Sequence, residues 1–333
     1  MENNKKRVLS GIRASGRIHL GNYFGAVQGM LELQNKGDLE TLYMVADLHT
    51  LTTPYEKEKL TTQVKEVILD YLACGLDPKK SIVFIQSMIP QHVILAYYFS
   101  TITNVARMRH LPTYKDKVKQ HPKNVSMALL NYPVLMAADI LVYNASYVPV
   151  GVDQEPHLEV SREIARKMNS EYGTTFPEPI RYETVGGYVP SLTGIGKMSK
   201  SVEGSAIYLT DTEDVIKNKI AKVPTDSGKG SSAPTQGGVA TLFTLIELVE
   251  GQDKRKYYEN EYVSHGVRYG DLKNELSRSI YNYIKPMQEK RKELESNPNY
   301  IKEVVEKGSS RAVEIASSVL GEVEEKMGLH YSF

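Results

Sequence analysis

A chain of 333 residues with 41% hydrophobic and 24% charged side chains can bury a large core and a smaller one, and no apolar run in it is long enough to span a bilayer. Forty-one Lys and Arg against 40 Asp and Glu leave a net charge of +1, so any attraction to nucleic acid has to come from a local basic face. A single cysteine, Cys74, excludes an intrachain disulfide and a cysteine-rich zinc site, and no apolar signal segment follows the N-terminal Met1 to Arg7, which fits a reducing compartment.

Along the first half, short β-rich runs alternate with amphipathic helices, the rhythm of parallel strands joined by helical crossovers. The first strand is expected over residues 8–12. It runs into a Gly-rich turn, and a helix follows from about Asn22, a suitable N-cap, with Tyr23, Val27, Met30 and Leu31 on one face. A second strand is expected over 41–46, then a helix opened by Pro54 and closed by Gly75. Residues 81–85 and 147–150 read as third and fourth strands, although Pro149 weakens the last, and a helix over about 156–169 comes next.

Beyond residue 205 the period is helical almost throughout. Segment 226–232, Asp-Ser-Gly-Lys-Gly-Ser-Ser, reads as an exposed mobile loop, and the last two helices are expected near 280–294 and 309–327. On this pattern residues 1–188 form an α/β domain, 189–205 a mobile loop, 206–308 a helical domain, and 309–333 a terminal helix that can pack back on the first domain.

Chemistry concentrates at two places. Lys197-Met198-Ser199-Lys200-Ser201 follows Gly194 and Gly196, which puts two ammonium groups and two hydroxyls on a glycine-hinged loop suited to gripping a polyphosphate. Upstream, the turn after the first strand carries Gly11, Arg13, Ser15, Gly16, His19, Gly21 and Asn22 straight into a helix. Glycines let a nucleotide approach the backbone, the helix N-terminus favours negative charge, and His19 can donate to a phosphate oxygen. Asp139 stands out separately as a carboxylate in the otherwise apolar run 134–142. Buried there it requires a partner, which is either a structural one or a ligand's N–H. Lys285, Lys290, Arg291 and Lys292 lie along one helix and read as a solvated face.

The pair formed by His19-Leu20-Gly21-Asn22 and the 197–201 loop resembles the HIGH and KMSKS signatures of class I aminoacyl-tRNA synthetases. Within that class the chain is similar to the tryptophanyl-tRNA synthetase family. The blocks that carry this are Ser10-Gly11-Ile12, Asp47-Leu48-His49, residues 135–141, residues 148–154, His157-Leu158-Glu159 and Thr225-Asp226-Ser227.

The resemblance implies a Rossmann-type doubly wound parallel sheet with a smaller all-helical anticodon-binding domain, in a cytoplasmic homodimer that binds neither membrane nor DNA. It implies L-tryptophan, ATP and tRNA as substrates, with Mg2+ carried on ATP and no metal site of the protein's own. Carried over residue by residue, it places ATP at Arg13, Ala14, Ser15, Gly21, Asn22, Gly151, Val152, Asp153, Val189, Lys197, Met198, Ser199, Lys200 and Ser201. It places tryptophan at Asp139, Met136, Tyr132, His49, Val148, Val150 and Gln154, and catalysis with Lys197, Lys200 and His19.

Three segments depart from the family pattern. Arg13-Ala14-Ser15 stands where Gln-Pro-Ser or Gln-Pro-Thr is usual, Val152 where Glu is common, and Val202-Glu203-Gly204 where the loop usually continues Asp-Pro or Asp-Asn. The rival readings are a tyrosyl-tRNA synthetase, a small-molecule nucleotidyltransferase, and a synthetase-derived regulator that binds tryptophan or RNA without catalysis.

Overall fold

β-Branched and apolar runs that alternate between two buried faces form five strands, Lys6–Arg13 (β1), Leu39–Ala46 (β2), Ser81–Ile85 (β3), Ala145–Val148 (β4) and Ile180–Arg181 (β5). In the computed structural model, which describes residues 5–183, 188–200 and 202–331, all of them pair in parallel in the order β3-β2-β1-β4-β5. Alternation decides the faces. Val8, Tyr43 and Val83 point into one core while Leu9, Leu42, Ile82 and Phe84 point into the other, as a parallel sheet covered on both sides requires.

Helices fill the crossovers. After β1 come Leu20–Asn22 (α1), a π-helical stretch over Tyr23–Val27 and Gln28–Lys36 (α2). After β2 come Asp47–Thr50 (α3) and Lys57–Ala73 (α4). β3 leads through a 3-10 turn, Gln86–Met88, to Gln91–Ile102 (α5), Val105–Arg109 (α6), Pro112–Gln120 (α7) and Met127–Leu141 (α8). β4 is followed by the turn Val152–Gln154 and Glu155–Tyr172 (α9). Beyond β5 lie Glu213–Ala221 (α10), Gly237–Glu250 (α11), Gln252–Ser264 (α12), Tyr269–Glu295 (α13) and Pro298–Lys326 (α14). One core joins α2, α4, α10, α11 and α13, and the other joins α5, α8, α9 and α14.

Several boundaries differ from the sequence reading for identifiable reasons. The first helix starts at Leu20 with His19 as its cap, so Asn22 closes the capping box from inside the helix and is not the N-cap. α4 begins at Lys57, three residues after Pro54. β4 ends at Val148, which leaves Pro149 and Val150 outside the ladder. β5, two residues long, is too short to give a sequence signal. α13 and α14 each begin about eleven residues before the expected start. The 226–232 segment is exposed but tethered: Asp226 accepts hydrogen bonds from Tyr262 and Tyr269 (2.7 and 2.6 Å) and from the Gly228 amide.

β1 is the pivot. Its neighbours β2 and β4 lie on opposite sides, so the chain order reverses at its carboxyl end, the topological switch point where open α/β sheets bind ligands.

Candidate active site

At that switch point β1 delivers Arg13 to Gly16, where Gly16 takes a left-handed conformation (φ 89°). His19 then caps α1. Its Nδ1 accepts from the Asn22 amide (3.2 Å), and its own amide donates to Asn22 Oδ1 (3.4 Å). Burial, reinforced by the charges of Lys200 and Lys197, pulls its pKa down to about 4, so the ring is neutral at pH 7. With Nδ1 occupied as an acceptor, the proton sits on Nε2. His19 is therefore a neutral hydrogen-bond donor and brings no charge of its own to the turn.

The lysine loop is sewn to this turn. Leu20 donates to the Ile207 carbonyl and Leu209 to the Ile18 carbonyl, with His19 and Tyr208 forming an antiparallel bridge between them. Within the loop Gly194 and Gly196 are both left-handed (φ 80° and 73°), and a Cβ on Gly194 would lie 2.7 Å from the Gly238 amide nitrogen. The alternation of the motif has a physical basis. Met198 is buried as an anchor and its amide donates to the Val189 carbonyl, Lys197 is exposed, and Lys200 reaches back over the turn. Its Nζ donates to the Ser15 carbonyl and hydroxyl (3.2 Å each) and to the Gly16 carbonyl (2.8 Å). The Ser199 amide donates to Ser205 Oγ (2.9 Å). Gly21 has no room for a side chain, since a Cβ there would meet the His19 ring at 2.9 Å. Ser201 lies outside the described residues.

Next to the turn, a cavity of about 550 Å³ opens between the carboxyl ends of β1, β2 and β4 and helices α7 and α8. All seven residues expected at tryptophan line it: His49, Tyr132, Met136, Asp139, Val148, Val150 and Gln154. Of the residues expected at ATP, Arg13 and Asp153 line it too, and Ser15 joins Arg13 along an adjoining groove of about 440 Å³. Ala14, Val189 and Met198 have buried side chains, so only their backbones can face a nucleotide, whereas Val152 is 72% exposed. A Cβ on Gly151 would come 2.4 Å from Asp153 Oδ1, so a side chain there would force the Asp153 carboxylate to turn. A cleft between α10 and α13 is slightly larger, about 600 Å³, but its lining sets Glu213, Asp214, Asp271 and Glu275 against Lys217 and Arg278, an acidic excess that disfavours an anionic substrate.

Asp139 is fully buried and does have partners. Its Oδ1 accepts from Gln86 Nε2 (2.8 Å) and His92 Nδ1 (2.5 Å), and its Oδ2 from His49 Nε2 (2.8 Å). Burial favours its neutral form, but hydrogen bonds and charge from His49 and His92 outweigh this and hold the carboxyl well below the usual carboxylate range. Three donors leave Oδ2 with capacity to accept one more. His157, the opposite wall, accepts from or donates to Thr113 Oγ1 (2.7 Å) and Tyr132 Oη (2.8 Å) through Nε2, and its Nδ1 lies 2.9 Å from Gln154 Oε1. Arg13 donates to Thr53 Oγ1 (2.7 Å), while its buried Nε–H has no acceptor among the described residues.

Sequence reasoning missed Gln86, His92 and Tyr143, the last lying 2.7 Å from His92 Nε2, as well as Lys117 on the cavity rim. It also misread Arg291, which is buried in ion pairs with Asp70 and Glu66. The helical phase was available as a signal: residue 291 shares a face with the buried Ile284 and Leu294.

Comparison with known proteins agrees with this geometry. Residues 1–285 match the family model described as tRNA synthetases class I (W and Y). The tryptophan–tRNA ligase of Fusobacterium nucleatum subsp. nucleatum is 40% identical over 329 residues, covering 97% of this chain and 98% of that protein. That of Porphyromonas gingivalis is 36% identical over 325 residues, covering 96% and 98%. The crystal structure of tryptophanyl-tRNA synthetase from Campylobacter jejuni complexed with ADP and tryptophan superposes with a TM-score of 0.83 at 33% identity, over 97% of this chain and 100% of that one. Two signatures held together by the Lys200 side chain and by main-chain hydrogen bonds from the segment just after the lysine loop, beside a cavity lined by a buried carboxylate, are thus found in a chain that belongs to the class I tRNA synthetases of the tryptophanyl and tyrosyl group.

Proposed function

We propose that the chain is a tryptophan–tRNA ligase. It activates L-tryptophan with ATP to the enzyme-bound adenylate, releases pyrophosphate, and passes the tryptophanyl group to the 3′ end of its tRNA in the cytoplasm. The observation that carries this reading is Asp139, a buried, ionised carboxylate among the residues that line a largely apolar cavity, with capacity left to accept the indole N–H. A site built around one buried hydrogen bond rejects an analogue that lacks the donor by about 10⁴ to 10⁵ without editing.

The indole would lie among Met136, Val148 and Val150, with Tyr132, His49 and Gln154 on the polar side of the same cavity. Tryptophan's carboxylate attacks the α-phosphorus of ATP and the bond to pyrophosphate breaks. The tRNA hydroxyl then attacks the acyl carbon and AMP leaves. No protein nucleophile takes part, so catalysis consists of positioning and charge stabilisation. Lys197 and Lys200 hold the departing pyrophosphate, and His19 donates Nε2–H to a phosphate oxygen. Arg13, which lines the cavity and has an unpaired Nε–H, adds positive charge beside the reacting anions. The backbone of Ala14, Ser15, Gly21, Asn22, Gly151, Val152, Val189, Met198 and Ser199, together with Ser201 and Asp153, completes the ATP contacts, and magnesium enters as part of the ATP substrate.

We read the chain as a homodimer, supported by an apolar stripe on α5, where Val93, Ile94 and Tyr97 are 53, 37 and 69% exposed. The ATP–pyrophosphate exchange assay, run with each of the twenty amino acids, should respond to tryptophan alone. A phenol O–H also suits Asp139, so exchange with tyrosine would reassign the substrate, and no exchange with any amino acid would overturn the enzyme reading. Because the chain contains no tryptophan, the fluorescence of the bound ligand can be followed directly.

A further inference from the structure

Apart from the Asp139 cluster, one ion pair among the described residues has both side chains buried, and it lies behind the ATP turn, outside the cavity. Asp70 on α4 accepts from Arg291 Nη1 through Oδ1, and through Oδ2 from the amide of Ile18 (2.7 Å), the residue just before His19. Arg291, on α13, uses its remaining donors on Glu66 Oε2 (2.7 Å), the Glu66 carbonyl (3.3 Å) and Glu295 Oε1 (2.8 Å). Glu66 Oε2 in turn accepts from Arg17 Nε (2.8 Å), and Arg17 Nη1 reaches Thr210 Oγ1 (3.3 Å) just beyond the lysine loop.

Three elements meet at this cluster. Residues 15 and 16 of the turn carry the carbonyls on which Lys200 rests, residues 17 and 18 are held by α4, and α4 is held by α13. Packing alone does not call for such an arrangement, because a buried ion pair can be replaced by apolar side chains of similar volume with little or no loss of stability. What the pair adds is direction. One carboxylate shared between a guanidinium on α13 and an amide on the turn fixes the turn relative to that helix. The turn has no ring-locked φ to hold it, since Ala14 and Ser15 precede Gly16.

We propose that Asp70 and Arg291 are positioning residues for adenylation, a relay in which the seat of α13 sets the geometry of the turn that grips ATP. The inference rests on the reading of this turn as the ATP turn. It gives the C-terminal helices a route to the phosphates that involves no contact with the nucleotide.

The test is pyrophosphate exchange and thermal melting on the full-length Asp70→Leu/Arg291→Met double variant, with KM measured separately for ATP and tryptophan well below the melting temperature. The apolar pair restores packing but leaves the Ile18 amide without its acceptor. The expected result is a folded protein with a modestly lowered melting temperature, because the buried Ile18 amide is left unpaired, a KM for ATP raised about tenfold and a KM for tryptophan within about twofold of wild type. If the double variant does not fold, Arg291→Lys, which keeps the charge but loses the fork, carries the same measurement with an expected rise of about threefold in KM for ATP. A folded variant with wild-type KM for ATP, or with both KM values raised equally, overturns the relay. Wild-type protein that shows no tryptophan-dependent exchange overturns the functional reading beneath it, which separates the two failures.

Discussion

Lys200 rests over the Ser15 and Gly16 carbonyls, and burial pulls its pKa down to about 8, with Asp70 opposing the shift. The charged ammonium is the form that holds phosphate. It is intact at about pH 7 and is lost as pH rises through about 8. Exchange followed as kcat/KM for ATP, which reports groups of the free enzyme, should therefore fall above about pH 8. A Lys200→Arg variant, slower at every pH, should show no such descent because a guanidinium stays charged. An unchanged descent in that variant would assign the titration to another group. Lys200 and Asp139 were legible in the sequence because each is out of place locally, one in a glycine-hinged loop and the other in an apolar run. Gln86, His92 and Tyr143 were not legible. Each is unremarkable in its own segment, and only the stacking of β3, α5 and α8 brings Gln86 and His92 to one carboxylate and Tyr143 to the far side of the His92 ring.

At the scale of elements, the parallel sheet and its crossovers could be read from apolar periodicity, while helix starts could not. α14 is the instructive case, because Asn297 caps it by accepting from the Tyr300 amide (3.2 Å) and Pro298 occupies its first turn, both ordinary start signals. Gly308, in its interior, directly precedes the expected start at residue 309. The glycine is there because α14 crosses β3 so closely that a Cβ would lie 1.9 Å from the Val83 carbonyl oxygen. Gly321, on the same helix, faces open space. The two should respond in opposite directions to the same substitution. Gly308→Ala is expected to destabilise the fold by about 2–3 kcal/mol through overpacking against main chain, and Gly321→Ala to stabilise it by about 0.5–1 kcal/mol through helix propensity. Urea unfolding of the two variants checks both signs, and a neutral Gly308→Ala would mean that α14 sits farther from the sheet.

For the molecule as a whole, closing the structure over its site buries two histidines in neutral form. His19 is enclosed where the first turn meets the strand-like segment after the lysine loop, and His157 where α9 meets α7 and α8. Burial lowers both pKa values to about 4, helped at His19 by Lys200 and Lys197 and at His157 by His49. In the unfolded chain both titrate near 6.5. Between these values the unfolded state binds more protons than the folded one, so the free energy of unfolding falls as pH drops from about 6.5 to about 4. Each histidine contributes a loss on the order of 3 kcal/mol across that interval. Asp139 acts in the same direction but later. Its lowered pKa contributes stability above the ordinary carboxylate value, and that contribution begins to disappear only below about pH 4. Acid lability should therefore set in at mildly acidic pH, before the carboxylates titrate. Urea midpoints measured between pH 7 and pH 5 should decline in the wild type and decline less steeply in His157→Gln, which cannot take up the proton. Since the substitution also removes hydrogen bonds to Thr113 and Tyr132, the variant starts lower at pH 7, and it is the slope that decides. Parallel curves would place His157 in solvent contact and leave the acid sensitivity to other groups.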